Sequence, residues 1–105
     1  MSEYLIVLSP VRPTFPGDGT PEEHAAVGRH FHYLQQAQAD GKLWFAGRTM
    51  DEPPMGLVVV TAQDDAEAMS FMQSDPAIVA GVFVGQLRPY AVALWRASAL
   101  EDRQP

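Results

Sequence analysis

The sequence predicts one α+β domain, built from four strands and two helices in the order βαββαβ. A chain of 105 residues is long enough for one hydrophobic core and too short for two. Apolar runs alternate with helical segments, and the two strand–helix–strand halves have similar lengths. We therefore expect a four-stranded, mostly antiparallel sheet with both helices on one face, the ferredoxin-like plan. The single domain spans residues 1–105, with an ordered core over about residues 3–96 and a tail at 97–105.

The first strand is predicted at Tyr4–Leu8, an unbroken apolar run closed by Ser9 and Pro10. The stretch from Ser9 to Thr20 contains three prolines and two glycines, a density that neither a helix nor a central strand tolerates. A loop of this length is uncommon in a compact domain unless it covers something. We therefore expect it to form a lid or a rim.

The first helix has clear ends in the sequence. Thr20 is suited to the N-cap, Pro21 to the first helical position and Glu23 to the third position of a capping box. Asp40 and Gly41 end the helix, because glycine readily adopts the left-handed conformation that follows a helix terminus.

The remaining elements follow from shorter patterns. Two apolar runs, Leu43–Ala46 and Gly56–Ala62, are predicted to pair as a hairpin. A second helix is expected from Asp64 to about Ser74, and the segment Asp75–Gly81 predicts a short extra helical turn. The last strand is predicted at Val82–Trp95, bent or broken near its proline.

This plan leaves the face of the sheet opposite the helices bare. The strand segments LWFA and LVVV carry apolar residues on both sides, which predicts a large exposed apolar patch. A homodimer that presses sheet against sheet covers the patch without a second protein. We therefore expect the chain to associate with itself, as a homodimer or a higher oligomer.

The composition argues against several classes of partner and chemistry. Thirteen acidic residues against seven basic ones give a net charge of -6 with no basic run, which argues against nucleic acid. The absence of cysteine excludes disulfides, thiolate nucleophiles and cysteine metal sites. The opening MSEYLIVLSP lacks the basic start and the length of a signal peptide or a membrane span. A cytoplasmic protein without membrane contact is the expectation.

Helical periodicity gives the first helix a predicted core face. At about 100° per residue, Val27, Phe31 and Leu34 lie together on that face. His30 falls at the margin of the face, and His32 falls in solvent.

The three histidines of this helix do not form a metal site by spacing. His24 lies at the opposite margin of the core face, six positions before His30 and eight before His32. His30 and His32 are two positions apart. Helical ligands that share a metal need a spacing of three or four, so no metal site is expected.

His30 and Asp75 each allow a structural and a chemical interpretation. A histidine at a helix margin commonly hydrogen-bonds a backbone carbonyl, and an aspartate before Pro76 is explained by helix capping alone. A capping carboxylate close to His30 would also orient the imidazole and stabilise its charged form, the usual support for a general base. The distance between the two side chains decides between these interpretations.

The sequence resembles the YCII-related proteins, small bacterial proteins of the dimeric α+β barrel type. The helix with His30, followed by GKLWFAGRT from Gly41, resembles the family's pattern of a histidine, a glycine, a basic residue, an apolar strand and an alanine-glycine pair. The segment SDPAIVAGVF looks like its "DP…AG" signature and precedes a strand that contains RPY. The resemblance covers Tyr4 to Leu94. The long proline-rich loop departs from the shortest family members.

The resemblance implies an active-site dyad at His30 and Asp75, since a histidine and an aspartate are regarded as the family's active-site pair. One member is a dehydrochlorinase that acts on a chlorinated hydroxyquinone. The wider superfamily includes lactone isomerases and monooxygenases that use no metal. For most members the resemblance implies no established reaction.

We therefore expect an enzyme of the lyase, dehydrochlorinase or isomerase type, with a pocket between the first helix and the sheet. His30 is the expected general acid or base, Asp75 its orienting carboxylate, and a small cyclic oxygenated metabolite the substrate. Acid–base chemistry of this kind requires no cofactor. Arg48 is a candidate to bind an anionic group, although a surface arginine is the simpler interpretation. Trp44 and Phe83 are candidates to line the pocket, although aromatic residues on short strands more often belong to a core or a dimer interface. The alternative is a non-catalytic dimeric module that binds a small ligand or serves as an accessory protein, in which His30 only donates a hydrogen bond. A third hypothesis is a stress or antibiotic-type scavenger with a similar fold and a different pocket.

Overall fold

The computed structural model of the protein describes residues 1–96. Their strands and helices are, in chain order, β1 (Ser2–Pro10), α1 (Pro21–Ala39), β2 (Leu43–Arg48), β3 (Gly56–Ala62), α2 (Asp65–Gln73), α3 (Pro76–Val79) and β4 (Phe83–Tyr90). The predicted βαββαβ order is confirmed, and α3 is the short extra turn expected before the last strand. The tail predicted at 97–105 lies outside the described residues.

The sheet has the strand order β2-β3-β1-β4, and every neighbouring pair is antiparallel. Alternation along β1 sends Tyr4, Ile6 and Leu8 to one face, where they meet Leu34 of α1 and Met72 of α2 in the main core. Both long helices therefore lie on the same face, as predicted. The expected β2–β3 hairpin forms, with a register shift next to Leu43.

The predicted ends of α1 are confirmed in atomic detail. The Thr20 hydroxyl accepts from the Glu23 backbone N–H at 3.1 Å, and the Glu23 carboxylate accepts from the Thr20 N–H at 2.8 Å. This reciprocal pair is the capping box. Gly41 has φ 74°, the left-handed conformation expected after the helix end.

The buried stripe of α1 differs from the predicted face. Phe31 is 60% exposed, so its assignment to the core is wrong. The buried and half-buried apolar residues and the histidine that form the stripe are Ala26, Val27, His30, Tyr33, Leu34 and Ala37. On a helical wheel His30 lies within about 20° of the centre of this stripe and Phe31 roughly 100° from it. Close packing through the two small alanines orients the helix, so His30 lies well inside the contact surface instead of at its margin.

β4 ends at Tyr90, one residue after Pro89. The break predicted near the proline is therefore confirmed, and the predicted continuation of the strand to Trp95 is wrong. Residues 91–96 instead cross the sheet face opposite the helices. The Trp95 ring stacks on Phe45 with a 6.0 Å centroid separation and meets Trp44 edge-on at 5.6 Å. Val59, opposite Phe45 in the ladder, is fully buried. Stacking on the aromatic side chains of β2 thus covers part of the face that was expected to be bare.

Among the described residues no helix is long and apolar enough to cross a membrane.

Candidate active site

The two side chains singled out as a dyad are in direct contact. Nδ1 of His30 lies 2.6 Å from Oδ2 of Asp75, although 45 positions separate them in the sequence. The side chains are 13% and 6% exposed, respectively. An ionised carboxylate only accepts hydrogen bonds, so Nδ1 is the donor. The contact is short, as expected when a charged group takes part in a hydrogen bond.

The position of Asp75 follows from the local sequence. It lies between α2 and α3 as the N-cap of α3, and its Oδ1 accepts from the Ala77 N–H at 2.9 Å. Pro76 occupies the first helical position, where its missing N–H costs nothing. One carboxylate oxygen therefore caps a helix while the other holds His30. The capping contact with Ala77 and the contact with His30 are therefore made by the same carboxylate.

The second ring nitrogen of His30, Nε2, forms no hydrogen bond with any described residue. Because Nδ1 donates to Asp75, the neutral imidazole carries its lone pair at Nε2. This tautomer is the one that can accept a proton from a ligand.

Aromatic and phenolic side chains complete the surroundings of the dyad. The Phe83 ring meets the His30 ring edge-on at a centroid separation of 5.6 Å. Tyr33, one helical turn after His30, donates from its hydroxyl to the Phe71 carbonyl at 2.7 Å. Burial raises the pKa of Tyr33, and the negative charge of Asp75 raises it further. Tyr33 therefore stays protonated and supports α1 instead of acting as a base.

Residues 11–20, here called the β1–α1 loop, lie against the same region. Phe15 is buried, and its ring packs against His24 at 5.6 Å and edge-on against Phe83 at 6.1 Å. Ala26 of α1 and Val82 complete this second, smaller core cluster. The loop was predicted to be a lid or rim, and it packs on the ring that contacts His30.

A group of ion pairs, here called the Arg12 latch and formed by Arg12, Asp18 and Glu23, fixes this loop to α1. The guanidinium donates to both carboxylate oxygens of Glu23, at 2.9 and 2.7 Å, and to Oδ2 of Asp18 at 3.0 Å. The bidentate geometry suits an arginine–carboxylate pair. Together with the Thr20 N–H, Arg12 lowers the pKa of Glu23 to about 2 from its ordinary 4.5, and it also lowers the pKa of Asp18.

These shifts predict how the latch responds to acid. A lowered pKa means that Glu23 stabilises the fold above its unfolded-state pKa near 4.5 and that this contribution is lost as the pH falls towards 2. We expect Glu23→Gln, which keeps the capping oxygen but not the charge, to be less stable than the native chain at neutral pH. The difference in the free energy of unfolding should shrink between pH 4.5 and 2. Urea titrations across this range measure it, and a difference that does not change with pH would contradict the assignment.

The other predicted binding residues are distributed unevenly. Phe83 is next to His30, whereas Trp44 and Arg48 belong to β2, at the opposite edge of the sheet from β4. The Trp44 indole N–H donates to the Thr61 hydroxyl at 2.9 Å on the sheet face away from the helices. Arg48 is exposed. Within one chain the structure does not bring either of them to the dyad.

Two surface clefts formed by described residues also lie elsewhere. One, of about 230 Å³, is lined by Ser9, Pro10, Pro13, Thr49, Asp51, Pro53, Pro54 and Met55. The other, of about 450 Å³, is lined by Ser2, Glu3, Tyr4, Asp65, Pro89, Tyr90 and Ala91. Neither borders His30 or Asp75. The pocket expected between α1 and the sheet is neither of these clefts, and Phe15 is buried beside Phe83 in that region. Within residues 1–96 no group of three His, Cys, Asp or Glu side chains is placed to hold a metal ion.

Comparison with known proteins identifies the family. The family model of the YCII-related domain matches residues 4–90, most of the chain. The chain belongs to the YCII-related family. A solved structure with the same fold is 5-chloro-2-hydroxyhydroquinone dehydrochlorinase from Burkholderia phenoliruptrix, in complex with 2,5-dihydroxybenzoquinone. The two chains are 18% identical and superpose with a TM-score of 0.60, over 86% of this chain and 95% of the other. A comparison with curated proteins gives no match.

Sequence reasoning missed two features of this YCII-related domain. Nothing local marked Phe15 as a buried residue, because it lies between prolines in a polar loop. Nor did the sequence pair Arg12 with Glu23, eleven positions away. The available signals were an aromatic residue in a loop already expected to cover something and an unpaired arginine before a helix that begins with two glutamates.

Proposed function

We propose that this YCII-related domain is a small-molecule enzyme in which His30 moves a proton at Nε2 and Asp75 orients and stabilises the imidazole. The observation that carries the proposal is the sheltered 2.6 Å contact between Nδ1 of His30 and Oδ2 of Asp75. In addition, Nε2 of His30 forms no hydrogen bond with a described residue. A carboxylate behind a histidine fixes the tautomer and favours the imidazolium that forms during proton transfer.

The chemistry is one proton transfer followed by a shift of electrons within the substrate. Nε2 takes a proton from an acidic O–H or an activated C–H of the substrate, and Asp75 stabilises the resulting imidazolium. The electron pair left on the substrate either expels an anionic leaving group or moves to another ring position. In the second case His30 returns the proton at that position. The proposed reaction class is therefore elimination or isomerisation.

The proposed substrate is a small cyclic oxygenated compound. The edges of Phe83 and His30 suit a flat ring, because aromatic rings favour edge-to-face contacts. The structurally similar dehydrochlorinase, named for its chlorinated hydroxyhydroquinone and solved with a dihydroxybenzoquinone, supports a compound of this class. The alternative, a non-catalytic binding module, is favoured by one observation, that neither of the two surface clefts described above borders the dyad.

A panel of halogenated hydroxyquinones and lactones tests the proposal. Binding and turnover are measured for the native chain and for His30→Gln, with His32→Gln as the control. His32 lies on the same helix, is exposed and contacts only Gln35 through its ring nitrogen. Turnover by the native chain and the His32 variant, with binding but no turnover by the His30 variant, supports the enzyme. Binding without turnover by all three supports the module.

We also propose that the domain acts as a homodimer that buries the sheet face opposite the helices. This face carries partly exposed apolar side chains: Leu5, Val7, Leu57, Trp44, Phe45 and Val84. Trp95 covers only one side of it and is itself 40% exposed. Contiguous apolar surface of this kind normally marks an interaction site. A second copy of the chain meets it with the same surface, as a two-fold dimer requires.

Introducing a charged side chain on this sheet face is expected to abolish the proposed dimer. Val7 is in the central strand, between Leu57 and Gln86, on the open face. We expect Val7→Lys to convert the dimer into a monomer, since two buried ammonium groups would face each other across the interface. Val79→Lys is the control, because Val79 is an exposed residue of α3 on the helix side. Sedimentation equilibrium measures the mass, and a Val7 variant that remains dimeric would place the interface elsewhere.

A further inference from the structure

The dyad is mostly covered in this structure. The His30 side chain is 13% exposed, and neither of the two surface clefts described above borders it. A ring-shaped ligand needs a concave site that encloses most of its surface. If a ligand is to meet His30, some part of the chain has to move away.

The β1–α1 loop is the segment whose contacts fit this movement. Its backbone joins the rest of the fold at its two ends. Val11 N–H donates to the Val82 carbonyl at 2.9 Å, and at the start of α1 the Thr20 carbonyl accepts from the His24 N–H at 3.0 Å and the Thr20 N–H donates to Glu23 at 2.8 Å. One side chain, Phe15, is buried against Phe83, the ring that contacts His30. Removing Phe15 would open space between α1 and Phe83, one helical turn before His30.

The Arg12 latch is suited to hold the loop reversibly. Its four hydrogen bonds join Arg12 to Glu23 and to the side chain and carbonyl of Asp18. The side chains of Arg12 and Asp18 are 41% and 48% exposed. Ion pairs in contact with water contribute little individually and weaken with salt. A cover fixed in this way can open without disturbing the main core.

We propose that the β1–α1 loop is a hinged cover over the dyad, with Phe15 as its plug and the Arg12 latch as its closure. The benefit to catalysis rests on the proposed function of His30, because a closed cover excludes water from the reacting groups. The opening itself is a property of the fold, and it is measurable without any substrate.

The natural lack of cysteine makes the opening directly observable. Ala26 is fully buried in the cluster with Phe15, so a thiol introduced by Ala26→Cys reacts with a soluble disulfide reagent only when the plug has left. Ala68→Cys is the matched control, because Ala68 is also fully buried but belongs to the main core. Its labelling reports unfolding of the domain as a whole. Val82→Cys replaces Ala26→Cys if that variant does not fold, since Val82 lies in the same cluster.

The test compares these thiols with and without Arg12→Gln, which removes the ion pairs of the latch and replaces no residue of α1 or of the dyad. We expect labelling at position 26 to become ~5-fold faster, because several charge-assisted hydrogen bonds are lost together. Labelling at position 68 should not change. Equal acceleration at both positions, or none at position 26, overturns the cover. A chain that turns over no compound can still pass or fail this test, so it is independent of the proposed function.

Discussion

Replacing His30 with glutamine is expected to lower turnover about a hundred- to ten-thousandfold, the range that general acid–base catalysis supplies. The glutamine amide can still donate to Asp75 and fill most of the same space, so the helix contacts should survive. What the amide lacks is a lone pair that takes up a proton at neutral pH. The rate constant for turnover and the thermal unfolding temperature, measured on the same preparations, separate the loss of chemistry from a loss of structure.

The decisive comparison is with His32→Gln, a change of the same kind two residues away. Its turnover should equal that of the native chain, because the His32 ring is exposed and hydrogen-bonds Gln35, not Asp75. If the His30 variant keeps full turnover, the proton is moved by another group and the dyad is only structural. If neither the native chain nor its variants turn over any compound but all bind it, the domain is a binding module.

Features of this fold that involve residues close together in the sequence were predicted correctly, whereas the core face of α1, which depends on contacts with distant parts of the chain, was not. The capping box at Thr20 and the turn at Gly41 involve residues within a few positions of each other, so the pattern predicted both correctly. The face of α1 involves the sheet as well. Phe31 is more apolar than His30, yet the close approach of Ala26 and Ala37 turns the helix so that His30 is sheltered and Phe31 is exposed.

The candidate site was predictable only in part for the same reason. Capping explained Asp75 from its neighbours, but no spacing rule gives its distance from His30, so the residues left the pairing open and the family resemblance favoured it. The plug formed by Phe15 joins β4 and α1 through tertiary contacts that a propensity or a periodicity cannot express. The predicted continuation of β4 to Trp95 was wrong. Trp95 instead contacts Trp44 and Phe45, two aromatic residues of β2.

Replacing Asp75 is expected to have the second large effect. Because one carboxylate oxygen contacts His30 and the other caps α3, the effects on turnover and on stability can be separated. Asp75→Asn keeps a capping oxygen for the Ala77 N–H but presents an amide to Nδ1 of His30. The amide donates, so the neutral ring must carry its proton at Nε2, where the proposed mechanism needs a lone pair. We expect turnover to fall by about a hundredfold or more while stability falls by only about 1 kcal/mol.

Asp75→Ala removes both functions at once. We expect it to lower the free energy of unfolding by about 2–4 kcal/mol, from a lost helix cap and from a sheltered imidazole left without its partner. Asp64→Ala is the matched control, because Asp64 caps α2 through the Glu67 N–H at 2.9 Å and holds no histidine. It should cost about 1 kcal/mol. Urea unfolding of both variants, repeated in the His30→Gln background, isolates the coupling between the two dyad residues. If the two alanine variants lose equal stability and the coupling is zero, Asp75 acts as a helix cap and contributes nothing through His30.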